Sequence, residues 1–177
     1  EETFAILMVN AWELLLKAKA VADSGENLGV IHAIGKDGKP KLTRSGNPLT
    51  HEVTFLAGKF FETGGGVTAG CCDNIAMLVE IRDNAIHFMN RDPRFTEKVR
   101  ALGTASVLNF VKLAHDWFGV DWSIYQLPPM PISFKHGFEI ISACPTSKAG
   151  DQMERFLDYL NSVERHHGGT ADAGHFS

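Results

Sequence analysis

The chain has 177 residues, of which 44% are hydrophobic and 21% charged; this is the make-up of an ordinary globular protein and excludes wholesale disorder and collagen-like repeats. The length is that of one domain and is enough to bury a core without staples. Seventeen Lys and Arg against 21 Asp and Glu leave a formal charge of −4, so any nucleic acid must meet a local site rather than a generally basic surface. Cys71 and Cys72 are adjacent and Cys144 stands alone, an arrangement that implies no disulfide framework and points to a reducing, cytoplasmic setting. No apolar run reaches the roughly 18–20 residues of a membrane helix, and no signal peptide is expected.

Taken in order, residues 1–22 predict a helix rich in Leu, Ala, Lys and Glu. It is apolar around most of its circumference, which predicts a central place in a bundle. One polar stripe remains: Thr3, Asn10, Glu13 and Lys17. It reads either as a thin solvated face with a Glu13–Lys17 pair, or as the lining of a polar site. Residues 29–43 predict a small β-hairpin about the Asp37-Gly38 turn. Lys36, Lys39, Lys41 and Arg44, with His32, make it basic, so it is either a solvated tip or a phosphate-contacting arm.

Thr50 is placed to cap a second helix over residues 51–62, with Val53, Leu56 and Phe60 on its inner face. Gly64-Gly65-Gly66 breaks the chain but lacks the Gly-Lys-Ser/Thr of a phosphate loop. A third helix is predicted over 73–89, and a long amphipathic fourth over 94–118, stopped by Gly119. An extended Pro-rich segment follows, then an amphipathic helix over 150–163. The reading is therefore mostly α: an antiparallel helical bundle with a hairpin insertion and a Pro-rich segment before a C-terminal helix. One domain spans 1–164 with its bundle core in 1–118, and 165–177 forms a flexible tail. No internal repeat is expected, and His166-His167 lacks the partners of a metal site.

The third helix carries an anomaly. On a wheel of about 100° per residue, Ile75, Leu78, Val79, Ile86 and Met89 form one stripe, with Arg82 in its middle. A guanidinium on a core face is costly unless it is paired or opens onto a polar cavity. Either Arg82 is a structural ion-pair partner, with Glu13 one candidate acid, or the helix presents a fixed cation beside a titratable His87.

The run Arg82-Asp83-Asn84-Ala85-Ile86-His87, preceded by Leu78-Val79-Glu80-Ile81, has the form Arg-polar-x-x-x-His. It resembles the signature of the HEPN superfamily (higher eukaryotes and prokaryotes nucleotide-binding). The first helix, Asn10-Ala11-Trp12-Glu13-Leu14-Leu15-Leu16-Lys17-Ala18-Lys19, is similar to the Glu-x-x-x-Lys-Ala helix of many such domains. The resemblance covers residues 1–118 and is nearest to a bacterial branch catalogued as a domain of unknown function. It implies a helical bundle whose two-fold dimer brings two Arg/His motifs face to face. It also implies a metal-independent endoribonuclease of bacterial defence or toxin systems, with an antitoxin or regulatory partner. The alternative it leaves open is a non-catalytic module that binds nucleotide or RNA or mediates dimerisation.

The chemistry follows from the residue types. RNA supplies its own nucleophile, the 2′-OH. His87 is suited to proton transfer near neutral pH, and Arg82 to charge stabilisation at the phosphate. Asp83 or Asn84 would orient His87 or hold the 2′-OH, with Glu13 and Lys17 as supporting residues. No cofactor and no metal are expected. The expected partners are RNA and a second copy of the chain, with the third helices near the two-fold axis.

Overall fold

The structure is a computed structural model that describes residues 2–84, 93–125, 151–168 and 172–176. It is mostly helical, and no β-strand occurs among the described residues. The elements are α1 (Glu2–Asp23), α2 (Val53–Glu62), α3 (Ala69–Asn84), α4 (Pro93–Phe118), α5 (Asp151–His167) and the short α6 (Ala173–Phe176). Single 3-10 turns lie at Leu28–Ile31 and Trp122–Tyr125.

The helix at the centre is α3, not α1. It packs against α1, α2, α4, α5 and α6, and Cys71, Asn74, Ile75, Met77, Leu78 and Ile81 are all buried. The first helix buries Ala5, Met8, Val9, Trp12, Leu15 and Leu16, yet leaves Ile6, Leu7 and Leu14 exposed. Its composition is that of a central helix, but it covers the bundle with only one face. A polar link ties α1 to α4 inside the core: the Trp12 indole N–H donates to Ser106 Oγ at 2.7 Å, and the Trp12 ring meets Phe110 edge-on. That satisfies a donor whose burial would otherwise cost free energy.

The helix directions follow from such contacts. Asn74 Nδ2 donates to the Leu102 carbonyl, and the Trp117 indole donates to the Gly65 carbonyl, so α3 runs antiparallel to α4. Phe4 packs on Gly103, where an added Cβ would come within 2.8 Å of the ring. Further along, Trp12 meets Ser106, and Lys19 lies over Trp117. Thus α1 runs parallel to α4.

Several boundaries differ from the sequence reading. Thr50 does not cap α2. The capping position is Glu52, whose side chain makes no capping bond, and Thr50 Oγ1 instead accepts from Lys17 Nζ at 2.7 Å. The third helix starts four residues early, at Ala69. The expected stretch 85–89 lies outside the described residues, as does the Pro-rich segment from residue 126 onward. At the C-terminal end, α5 continues to His167, and the segment expected to be a mobile tail packs into the bundle. Phe176 is buried and stacks on His167. Its carbonyl accepts from buried Asn74, the His175 carbonyl accepts from Asn109, and the Asp172 carboxylate accepts the Gly70 N–H. The reason is local polarity: Asn74 and Asn109 on core-facing helix positions need partners, and this segment supplies backbone carbonyls.

Residues 31–51 contain no strand; the turn expected at Asp37-Gly38 is present, with one antiparallel bridge, Ile34 to Pro40, across it. They wind through three short legs joined by isolated bridges, His32 to Thr50, Ile34 to Pro40 and Leu42 to Pro48. Their backbone bonds close a ring: Ala33 N–H donates to Leu49, Leu49 N–H to Lys41, and Lys41 N–H to Ala33. Two successive turns share one spacing, Gly35-x-x-Gly38-x-Pro40 and Thr43-x-x-Gly46-x-Pro48. Gly38 and Gly46 take φ of +76° and +83°, a region open to glycine at no steric cost. An eight-residue unit is therefore repeated once, contrary to the expectation of no internal repeat.

Candidate functional site

Arg82 lies near the end of α3, one helical turn beyond buried Leu78 and next to buried Ile81. Its position continues the apolar stripe as predicted. The side chain is 33% exposed, and its Nε donates to Asp83 Oδ1 at 2.9 Å. Among the described residues its terminal nitrogens have no other partner. The ion-pair partner is thus the adjacent Asp83 rather than Glu13, and the guanidinium emerges at the rim of the bundle. Asn84 is the last residue of α3; His87 lies outside the described residues.

Glu13 and Lys17 do form their i,i+4 ion pair on α1, but the structure does not bring them to Arg82. At about 1.5 Å per residue, Arg82 lies about 12 Å beyond Asn74 in one direction, and Lys17 about 20 Å beyond Phe4 in the other. Asn74 and Phe4 both sit at the level of Leu102 and Gly103, so about 30 Å of bundle separates the two groups. The supporting role expected of Glu13 and Lys17 at the Arg82 motif is corrected accordingly. Lys17 instead ties α1 to the base of the 31–51 segment through Thr50.

Five other helices pack against α3; its Glu80 and Asp83 are exposed and Arg82 is half-buried. Beside the N-terminal part of α4, a shallow groove against α5 is lined by Glu97, Glu154 and Asp158, with Lys98, Leu157 and Asn161. Lys98 is already paired with Glu164. This groove is acidic and does not attract phosphate.

His115, the rival to His87, is exposed near the end of α4, with Nδ1 3.2 Å from the Val120 carbonyl. No Arg of the described residues stands at motif spacing from it. His167 is buried and lies 2.7 Å from Asp73, a structural pairing. No group of three metal-ligating side chains occurs among the described residues. The Cys71 thiol is pushed up to about 12 and Cys72 to about 11, in both cases chiefly by burial. Neither is a thiolate nucleophile near neutral pH.

A second cluster, which the sequence reading found only in part, surrounds the base of the 31–51 segment. His51 and Phe55 stack face to face, with ring centroids 4.1 Å apart and planes at 18°. The His51 pKa is lowered, first by burial and then by Lys59, Lys17 and Lys41 around it. The missed residues are Phe55 and Lys59. The signal for them was the i,i+4 spacing of Phe55 and Lys59, which places both on the outer face of α2, with His51 just before its start.

The molecule is thus an all-helical bundle over its described residues, with a half-buried arginine at one end and a basic, aromatic cluster at the other. The chain belongs to the family defined by the domain of unknown function DUF3644, whose sequence profile matches residues 1–167. No curated protein and no solved structure matches the chain.

Proposed function

We propose that the protein is a HEPN-like, metal-independent endoribonuclease of the kind that bacterial defence and toxin systems use, acting in the cytoplasm as a homodimer. The observation that supports this best is the placement of Arg82. It sits on the inner stripe of the central helix yet emerges at the rim, with a free fork of terminal nitrogens among the described residues. Five positions on, the sequence supplies His87. Arg82 offers bidentate contact to phosphate oxygens and stabilises charge as the 2′-oxygen attacks phosphorus. His87 takes the 2′-OH proton, and the second copy's motif protonates the departing 5′-oxygen. The products are a 2′,3′-cyclic phosphate and a free 5′-OH, and DNA is refractory because it has no 2′-OH. Asp83 holds the guanidinium by its Nε. The same contact favours a second reading, a non-catalytic RNA- or nucleotide-binding module, because a carboxylate 2.9 Å away offsets part of the Arg82 charge.

The test is incubation of purified protein with labelled RNA in EDTA. The expected result is cleavage that survives chelation and falls roughly 100-fold or more in Arg82→Ala and His87→Ala, with helical content by circular dichroism unchanged. Variants that keep their fold and cut like the parent, or cleavage that needs an added divalent ion, would overturn the nuclease reading.

A further inference from the structure

We propose that residues 31–51, together with the outer face of α2, form a docking surface for single-stranded RNA. The argument begins with charge. This segment holds Lys36, Lys39, Lys41 and Arg44 against one acid, Asp37. Its +3 stands in a chain of −4, so the rest of the molecule carries −7. Asp37 is itself turned to the backbone, where its carboxylate accepts the Lys39 N–H. Among the described residues none of the four cations, nor Lys59, takes part in an ion pair, and all five are exposed. Surfaces that need only solubility intersperse the two signs; here the basic charge is collected on one projection while acid dominates elsewhere.

The repeat gives this charge a regular geometry. Lys36 and Arg44 occupy the same position in two successive turns, and Ile34 and Leu42 the same position one leg earlier. The second half of the surface is aromatic. The His51–Phe55 stack lies at the base of the legs, with Phe55 52% exposed and Lys59 one turn on. Cations that track a backbone beside a π-face that accepts a base are the paired elements of single-strand binding. A duplex offers its phosphates but keeps its bases stacked, and so uses only half of the surface. The choice of RNA over another polyanion rests on the nuclease reading above. The surface lies toward the Lys17 end of the bundle, away from Arg82, so binding and cleavage are separable.

The experiment is fluorescence anisotropy with a labelled 2′-O-methyl oligonucleotide, which has no free 2′-OH and cannot be cut. The intact protein is compared with Lys36→Glu/Arg44→Glu and Phe55→Ala, each checked by circular dichroism. The expected result is binding that weakens with salt, a charge-reversed variant with a shallower salt dependence, and a loss of roughly 5- to 150-fold for Phe55→Ala, the range of one base-stacking contact. Equal binding by the parent and the variants of this basic knob (residues 31–51 with Phe55), no binding at low salt, or preference for anionic lipid vesicles over the oligonucleotide would overturn the proposal. If RNA is cleaved but the knob variants bind normally, the surface falls and the nuclease stands. If the knob binds but no RNA is cut, the reverse holds.

Discussion

Replacing Phe176 by Ala tests whether the C-terminal segment is part of the core. The ring is 2% exposed and stacks on His167 with centroids 5.3 Å apart; its removal opens a cavity among α3, α4 and α5. Buried Phe→Ala changes cost roughly 3–5 kcal/mol. This site is near the end of the segment and can partly collapse, which places the expected loss at about 3 kcal/mol. The backbone carbonyl that accepts from Asn74 survives the substitution, so the loss is one of packing alone. With a urea m-value of about 2 kcal/mol per molar, the unfolding midpoint should fall by about 1.5 M. Deleting residues 168–177 should cost more, because it also strips the acceptors from Asn74 and Asn109, and each unmade buried bond adds about 1–3 kcal/mol. A midpoint unchanged within about 0.3 M for Phe176→Ala would mean that the segment does not pack as described, and the placement of α6 would have to be abandoned.

Other expectations follow from particular groups. Ser106→Ala should destabilise by about 1–3 kcal/mol, because the Trp12 indole N–H loses its acceptor inside the core; thermal unfolding measures it. Cys71 and Cys72, held as thiols by burial, should resist iodoacetamide near pH 8 and label rapidly in urea, as peptide mapping by mass spectrometry will show. The lowered His51 pKa has a defined sign. Below about pH 6.5 the unfolded chain protonates this His before the folded one does, so its contribution to stability is lost as pH falls from there. In His51→Gln the stability profile should be flatter across that range. In the cleavage assay, His115→Ala should keep most of the parent's activity, since the ring lies near the α4 end with a backbone carbonyl as its neighbour.

The sequence read well where a single period decides the outcome. Val53, Leu56 and Phe60 are buried as the helical spacing predicts, as are Val99, Leu102 and Ala114 of α4 and Leu157 and Leu160 of α5. Pro93 and Gly119 bound α4 as their backbone preferences require. It read poorly where tertiary polarity decides. Nothing local to Phe176 says that Asn74, about a hundred positions earlier, needs its carbonyl. Nor does the apolar girth of α1 reveal that α3, with Asn74 on its inner face, takes the centre. The ring closed by Ala33, Lys41 and Leu49 was legible in principle, through the eight-residue spacing of Gly38-x-Pro40 and Gly46-x-Pro48. The Asp-Gly pair is a stronger local hairpin signal and masked it. Arg82 was found because a charge on a core stripe is a violation visible in one helix alone. Its distance from Glu13 was not, because helix order and direction are properties of the whole bundle.

That distance constrains how the two ends of the molecule work together. Groups about 30 Å apart along the helices, sharing no partner, should act independently when mutated. Charge reversal at Lys36 and Arg44 should therefore raise the RNA concentration needed for cleavage and leave the rate at saturation alone. Arg82→Ala should do the opposite, and the double variant should show the sum of the two in free energy. A shared effect would require the strand to be strained between the ends, or the two ends to meet across a dimer. Such a meeting would bring the knob of one copy to the Arg82 end of the other. Mixing a knob-reversed chain with an Arg82→Ala chain distinguishes the cases. Cleavage at subsaturating RNA above that of either variant alone would show that one copy grips the RNA that the other cuts, whereas a mixture that cuts no better than its components would confine both tasks to one chain.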